Sequence, residues 1–473
     1  MSDKKPTRKV LKGEDAIELW RRGREVWNAW VEQNPEADVN FSSQSFNGPN
    51  NLPLRSVDFT GFIFPNGFIN FADAKLGDGN VWFVDAEFGR GNVNFYRTKF
   101  GKGNVSFSDA KFGSGDINFA NAKFGDGHIN FSNTEFNTGT VDFSYVEFSS
   151  GDVSFHGTNF GEGNTYFIGA TFDRGDIRFY ESSFGKGQLM FDNTDFGSGA
   201  MLFEKTEFKS NCVTFRYCNF AGPSHFVDLQ RMDCPRTFSF EGAGFEKLFT
   251  FSHFGIMGCP LDLRRTKMSH DVVVNDIQCQ FDAEPMPNWA SAASQYWSGM
   301  PERSAPVWRW TTKASDREDS QRFRRLKELA LSNRNHAKAL EFHVQEIQSK
   351  RGHETRWWQT AAQFLFWLLG DYGRSVFRPF IWLIATWVGF AAYFFAYSTE
   401  QSAKFSAALA YSGSHMLAFI PTGRTARLQG QEWLFGEDTL VPASALGVGA
   451  AESILSVILL FLLGLGLRNL FRV

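Results

Sequence analysis

The chain has 473 residues, with 51 acidic and 48 basic side chains and a formal net charge of −3. That length accommodates two or three domains, and the balanced charge excludes a globally basic nucleic-acid binder while leaving room for a local patch. Five cysteines (Cys212, Cys218, Cys234, Cys259, Cys279) are odd in number and show no metal-ligand spacing, so they read as reduced, cytosolic thiols. No apolar run follows the N-terminal MSDKKPTRKV, so no signal peptide is expected.

Residues 1–40 read as an N-terminal helical cap. Within GEDAIELWRRGREVWNAWVEQNP, Ile17, Trp20, Trp27 and Trp30 fit one helical face.

From residue 41 to 283 the chain reads as a solenoid. Phenylalanine recurs every twelve residues from Phe59 to Phe215, giving fourteen units of the form V-x-F-x-x-A-x-F-G-x-G-x. A second series includes Phe64, Phe88, Phe100 and Phe112 and runs to Phe220, with Leu76 as its one exception. A strict period means that each unit buries its apolar face by stacking on its neighbours. Val-x-Phe is the period-two signal of a strand. The small residues Ala74, Ala86, Thr98 and Ala110 belong inside beside the second Phe. Gly101-Lys102-Gly103 and Gly125-Asp126-Gly127 read as corners where glycine supplies positive φ. A twelve-residue coil is too thin for two Phe, a Val and an Ala at crystal-like density. Two units per coil are therefore expected, a quadrilateral rung, and seven such rungs at about 4.8 Å make a rod of about 34 Å. The register weakens after Phe220, through Phe240/Phe245 and Leu263/Met268. The repeat phenylalanines read as core, and nothing catalytic repeats with them.

Residues 284–355 read as a Pro- and Trp-rich linker followed by a two-helix connector. Ser315–Ser332 places Phe323, Leu326, Leu329 and Ala330 on one face, and Asn333–Lys350 places Ala337, Leu340, Val344 and Ile347 on another, as an antiparallel pair. Their polar sides are basic. Arg322, Arg324, Arg325, Lys327, Arg334 and Lys338 are either a solvated face or a phosphate-binding surface. His336 and His343 have no companions that complete a metal set, and neither a metal nor a cofactor is expected.

Residues 356–473 change character. RWWQTAAQFLFWLLGD suits an interfacial helix. Two uncharged or nearly uncharged runs follow, one at about residues 379–398 and one at about 443–467, each long enough to cross a bilayer. Arg374 and Arg378 precede the first and Arg468 and Arg472 follow the second, which places both termini in the cytoplasm. Between them, residues of about 402–423 are apolar but short, the layout of a pore loop in a two-span channel subunit, for which a homotetramer is expected. Tyr411-Ser412-Gly413-Ser414-His415 is the candidate pore lining, and no potassium-filter sequence is present. Glu452, alone in an apolar span, is either another pore-lining group or a solvated residue at the helix end. Gly464 and Gly466 are either a gate hinge or packing glycines.

Three segments carry a family resemblance. WNAWVEQNP resembles the cap of bacterial pentapeptide-repeat proteins, FRRLKELALSNRNHAKALEFHVQEIQSKR the connector of those with a C-terminal ion-channel-like domain, and ESILSVILLFLLGLGLRNLFRV their last span. The chain departs from that family in using Phe rather than Leu inside and a twelve- rather than five-residue unit. The resemblance implies an inner-membrane, ion-channel-like protein. The architecture is also similar to the channel effectors of bacterial anti-phage systems of the Hailong type. In those, a nucleotidyltransferase partner makes single-stranded DNA oligomers that hold the channel shut, and their loss opens it and depolarises the membrane. A membrane-anchored binding module, such as a DNA mimic, is the competing reading. No nucleophile–base pair, phosphate loop or metal set supports an enzyme.

Overall fold

The computed structural model describes residues 8–46, 54–232, 235–253, 255–268, 272–273, 277–285, 312–398, 404–416, 421–436 and 442–471. The chain forms two compact units, Met1–Glu284 with Ala314–Arg334, and Pro285–Lys313 with Asn335–Val473. The 284–355 segment is thus divided between units instead of forming one connector. Most of its Pro- and Trp-rich part, residues 286–311, lies outside the described residues, as does Cys234.

The first unit is a parallel β-solenoid of about eleven turns. Its two long sheets hold eleven and ten strands, each following the last in steps around the coil. Partners in adjacent turns sit two sequence units apart, as in Val93↔Ile117 and Val105↔Ile129. Short strands and single bridges add two further rows, one through Lys75, Lys99, Lys123 and Glu147, the other through Glu87, Lys111 and Glu135. Residues inside each turn alternate as the strand period requires: Val93 and Phe95 are buried while Asn94 between them is half-buried.

The interior consists of aromatic columns. Phe59, Phe83, Phe107 and Phe131 stack at 4.8, 4.8 and 4.9 Å with planes 5°, 1° and 1° apart. The neighbouring column of Phe71, Phe95 and Phe119 meets it edge-on, as in the 5.8 Å, 89° contact of Phe71 with Phe83. The second Phe of each unit forms outer columns, Phe64–Phe88–Phe112 and Phe100–Phe124–Phe148. Burying each ring stabilises the rod by about 1.5–3 kcal/mol, with about 0.5–1.5 kcal/mol more from an aromatic pair. Where the small inward residue is threonine, its hydroxyl donates to a Phe carbonyl of the turn before: Thr98 to Phe71 at 2.8 Å and Thr134 to Phe107 at 2.7 Å.

The corners correct the expectation for glycine. The repeated left-handed positions are Asp73, Asp85, Arg97, Asp109, Asn121 and Asn133, with φ between 53° and 58°. Asx side chains just before them pin the turn, as where Asn94 Oδ1 accepts from Tyr96 N at 3.0 Å. Most corner glycines, Gly103 and Gly127 among them, do not have positive φ, although Gly101 does, at 73°. They are glycine because turns touch there: a Cβ on Gly103 would lie 2.3 Å from the carbonyl of Gly79.

Helices close both ends of the ladders. α1 (Glu14–Arg21) and α2 (Arg24–Gln33) lie between the strand Val10–Lys12 and its partner Asp38–Asn40. They are two helices broken at Gly23 (φ 88°), with Ile17, Trp20 and Trp27 buried and Trp30 half-buried. Trp20 Nε1 donates to Asp58 O at 2.9 Å, Trp27 Nε1 to Ile63 O at 2.8 Å, and Asn28 both donates to Gly61 O and accepts from Ile63 N. Side chains thus satisfy backbone groups that an open edge would expose.

α3 (Asp319–Ser332) performs the same task at the other end. Phe323 and Leu326 are fully buried, and the Phe323 ring lies 6.3 Å from that of Phe281. Arg325 donates to the carbonyls of Leu263 and Thr266, each at 3.3 Å, and Asn333 Nδ2 to that of Val272.

The second unit is helical: α4 (His336–Ser349), α5 (Trp357–Gly370), α6 (Phe377–Ala396), α7 (Phe405–Met416), α8 (Pro421–Phe435) and α9 (Ala443–Leu470). Asn335 caps α4, its Oδ1 accepting from Lys338 N at 3.1 Å. Arg351 after α4 donates to the Tyr372 hydroxyl at 3.2 Å. Three successive positive-φ residues, Asp371, Tyr372 and Gly373, turn the chain between α5 and α6. α6 and α9 are long and apolar enough to cross a membrane, with only 22% and 28% of their apolar windows buried in the protein.

Candidate functional site

Two sets of residues bear on function. The first is the basic set of α3, Arg334 and Lys338. Arg322 is 9% exposed and surrounded by carboxylates: Asp316 and Asp319 at 2.6 Å each, Asp262 at 3.3 Å and Glu318 at 3.5 Å. Arg264 shares Asp262, at 2.7 Å. Burial alone would raise the Asp262 carboxyl, but Arg264 and Arg322 hold it below its ordinary value. Burial pushes Asp319 the other way, up to about 6, because the nearby Arg322 is opposed by Asp316 and Asp262.

Arg322 therefore faces the solenoid, not a phosphate, and Arg325 is occupied with the last turn's carbonyls. The amphipathic pattern of 315–332 correctly marks a buried face, but that face closes the rod, whose final turn needs covering. Arg324 and Arg334 are exposed and Lys327 half-buried. Lys338 belongs to the second unit, where it pairs with Glu341 at 2.8 Å. The six basic residues are thus not brought together as one surface on a single unit.

The second set is in the helical unit. α7 packs between α6, α8 and α9. The Tyr411–His415 segment lies within the helix α7 and packs against its neighbours in the same chain. Tyr411 is buried with its ring 4.9 Å from Phe394 and 4.8 Å from His415. Ser412 Oγ lies 3.0 Å from the carbonyl of Trp387 on α6 and hydrogen-bonds with Glu452 Oε1 on α9. Gly413 lets Trp387 approach, its indole nitrogen donating to Leu409 O at 2.9 Å. The Ser414 hydroxyl donates to Tyr411 O at 2.6 Å, and the Ser414 carbonyl accepts from Arg427 at 3.2 Å.

Glu452 is completely buried, facing α7 rather than a free surface. One helical turn back, His415 sits on Gly449, where a Cβ would come within 2.5 Å of the ring. Ser453 Oγ donates to His415 O at 3.0 Å. Ser412, His415 and Glu452 therefore come together as sequence reading grouped them, but by packing within one chain. Residues 417–420, the end of the expected pore loop, lie outside the described residues. Gly464 and Gly466 separate: Gly464 is exposed and a Cβ there would meet nothing within 4 Å among the described residues, whereas Gly466 packs on Ser375, where a Cβ would be 2.9 Å from its carbonyl. α9 runs unbroken through both.

Sequence reading missed Gly449, Arg427 and α8. The polar stretch Thr422–Trp433 hid its helix, and the buried spacing of Gly430 and Leu434 was the available signal.

No family model, curated protein or solved structure matches this chain.

Proposed function

We propose that this protein is a homo-oligomeric ion channel of a bacterial inner membrane, gated by a signal received on its cytoplasmic solenoid and depolarising the membrane when open. We read the solenoid, with four pairing rows per turn, as the right-handed quadrilateral β-helix of pentapeptide-repeat proteins. The observation that carries the channel reading is the polar cluster of Ser412, His415 and Glu452, held at the depth of two apolar helices by a third short helix between them. Buried ionisable groups in such a place mark ion or proton paths. The signal fits a nucleic-acid or nucleotide phosphate, as in anti-phage effectors partnered with a nucleotidyltransferase, with Arg324, Lys327 and Arg334 as the candidates on the solenoid unit. A tetramer is the expected assembly.

The experiment is ion flux from liposomes holding the purified full chain, with and without short single-stranded DNA. Flux that responds to the oligonucleotide supports the reading. A correctly inserted protein that never conducts favours the anchored binding module instead.

A further inference from the structure

Ser412 has one hydroxyl proton and two partners, Trp387 O at 3.0 Å and Glu452 Oε1. A carbonyl can only accept. If Ser412 donates to Trp387, its contact with Glu452 is a hydrogen bond only when the carboxyl group is the donor. A carboxylic acid satisfies both contacts at once, Glu452 O–H to Ser412 and Ser412 O–H to Trp387. A carboxylate leaves one of them without a proton.

The surroundings agree. Glu452 is 0% exposed, and the cation that acts on it, Arg427, gives its own hydrogen bond elsewhere. The titratable and charged groups that act on it are Tyr411 on α7 and Arg427 on α8, and His415 on α7 packs on Gly449 one turn before it. Arg427 directs its Nη2 to Ser414 O. α5 and the turn after it meet α9 at Leu462, Leu465 and Asn469, beyond this cluster. Glu452 Oε2, Ser456 Oγ, His415 Nε2 and Arg427 Nε all lack a hydrogen-bond partner among the described residues. Buried polar atoms grouped in this way commonly share internal water.

We propose that Glu452 is a proton-binding site whose acid proton fastens α7 to α6 and α9 through Ser412. Loss of the proton to solvent leaves a buried, unpaired carboxylate with both oxygens acceptor-only, and the three-helix link through Ser412 loses its donor. The consequence for conduction rests on the channel reading: loss of the proton loosens α7 and changes gating, and Glu452→Gln, whose amide still donates, abolishes that response.

The test is infrared difference spectroscopy of the full chain in liposomes at neutral pH, wild type against Glu452→Gln. A protonated-carboxyl C=O stretch present in the wild type and lost in the variant is expected; an ionised carboxylate band in its place overturns the proposal. Where the Gln variant does not fold, Ser412→Ala serves: removing the acceptor shifts that C=O band to higher frequency, and an unmoved band overturns the link. Neither measurement depends on ion flux, so a protein that never conducts can still hold the proton, and a conducting one can fail to.

Discussion

Arg322 Nε lies 3.3 Å from Asp262 Oδ2, a contact between residues 60 apart that holds α3 on the last turns of the solenoid. Both side chains are buried, Asp262 held charged by Arg264 and Arg322 together and Arg322 by Asp262, Asp316 and Asp319. Replacing Arg322 with alanine leaves Asp319 without its cation and Asp262 with Arg264 alone. A loss of about 3–5 kcal/mol is expected. Hydrogen exchange of the full chain should show α3 losing protection while the central turns keep theirs.

Asp319 gives that contact a pH dependence. Its folded value of about 6 stands above the ordinary 3.8, so the folded form holds the proton more tightly. Its contribution to folding is fully present below 3.8 and is lost as pH rises through about 6, on the order of 1–3 kcal/mol. Protection factors for α3 should fall across that window in the wild type. In Asp319→Asn this component of the slope should be absent.

The corner glycines separate by contact rather than by conformation. Gly103→Ala places a methyl group 2.3 Å from the Gly79 carbonyl, where rigid backbone must move. A loss of about 1–3 kcal/mol is expected, read as a lower denaturation midpoint. Gly464→Ala meets nothing and gains helix propensity, so it should be neutral or more stable by up to about 1 kcal/mol.

In the aromatic columns, Phe143→Ala should cost about 3–5 kcal/mol, since the ring is 0% exposed and stacked on both Phe119 and Phe167. Thr134→Ala should cost less than about 1.5 kcal/mol, because its hydrogen bond to Phe107 is one that the Ala86, Ala110 and Ala122 turns do without. Chemical denaturation of the two variants side by side checks the ranking.

The rod was legible because one constraint repeats: every turn needs the same apolar residues at the same offsets, and Phe59 to Phe215 displays it. Corner chemistry was less legible, because glycine has two uses and sequence alone does not say which applies. The stronger cue was Asp73, Asp85, Asp109, Asn121 and Asn133, types that tolerate left-handed backbone. The role of α3 was half legible. Periodicity shows that Phe323 and Leu326 are covered but does not name what covers them, and Arg322, read as a surface charge, is held by Asp316, Glu318 and Asp319 close by in sequence and by Asp262, 60 residues away. In the helical unit, Glu452 stood out by its isolation, whereas its neighbours on α6 and α8 are set by packing that no local pattern encodes.

The pairing of Val93 with Ile117, and of each turn with the next at the same offset, also bears on how such a chain can change over generations. Duplication or excision of a 24-residue genetic block inserts or removes one whole coil and leaves every surviving ladder aligned. A twelve-residue block would instead exchange the two long sheets from that point onward and deliver the closing helix half a coil out of place. Lineages of this rod should therefore differ in size by whole coils, making its reach a countable trait that drifts in steps.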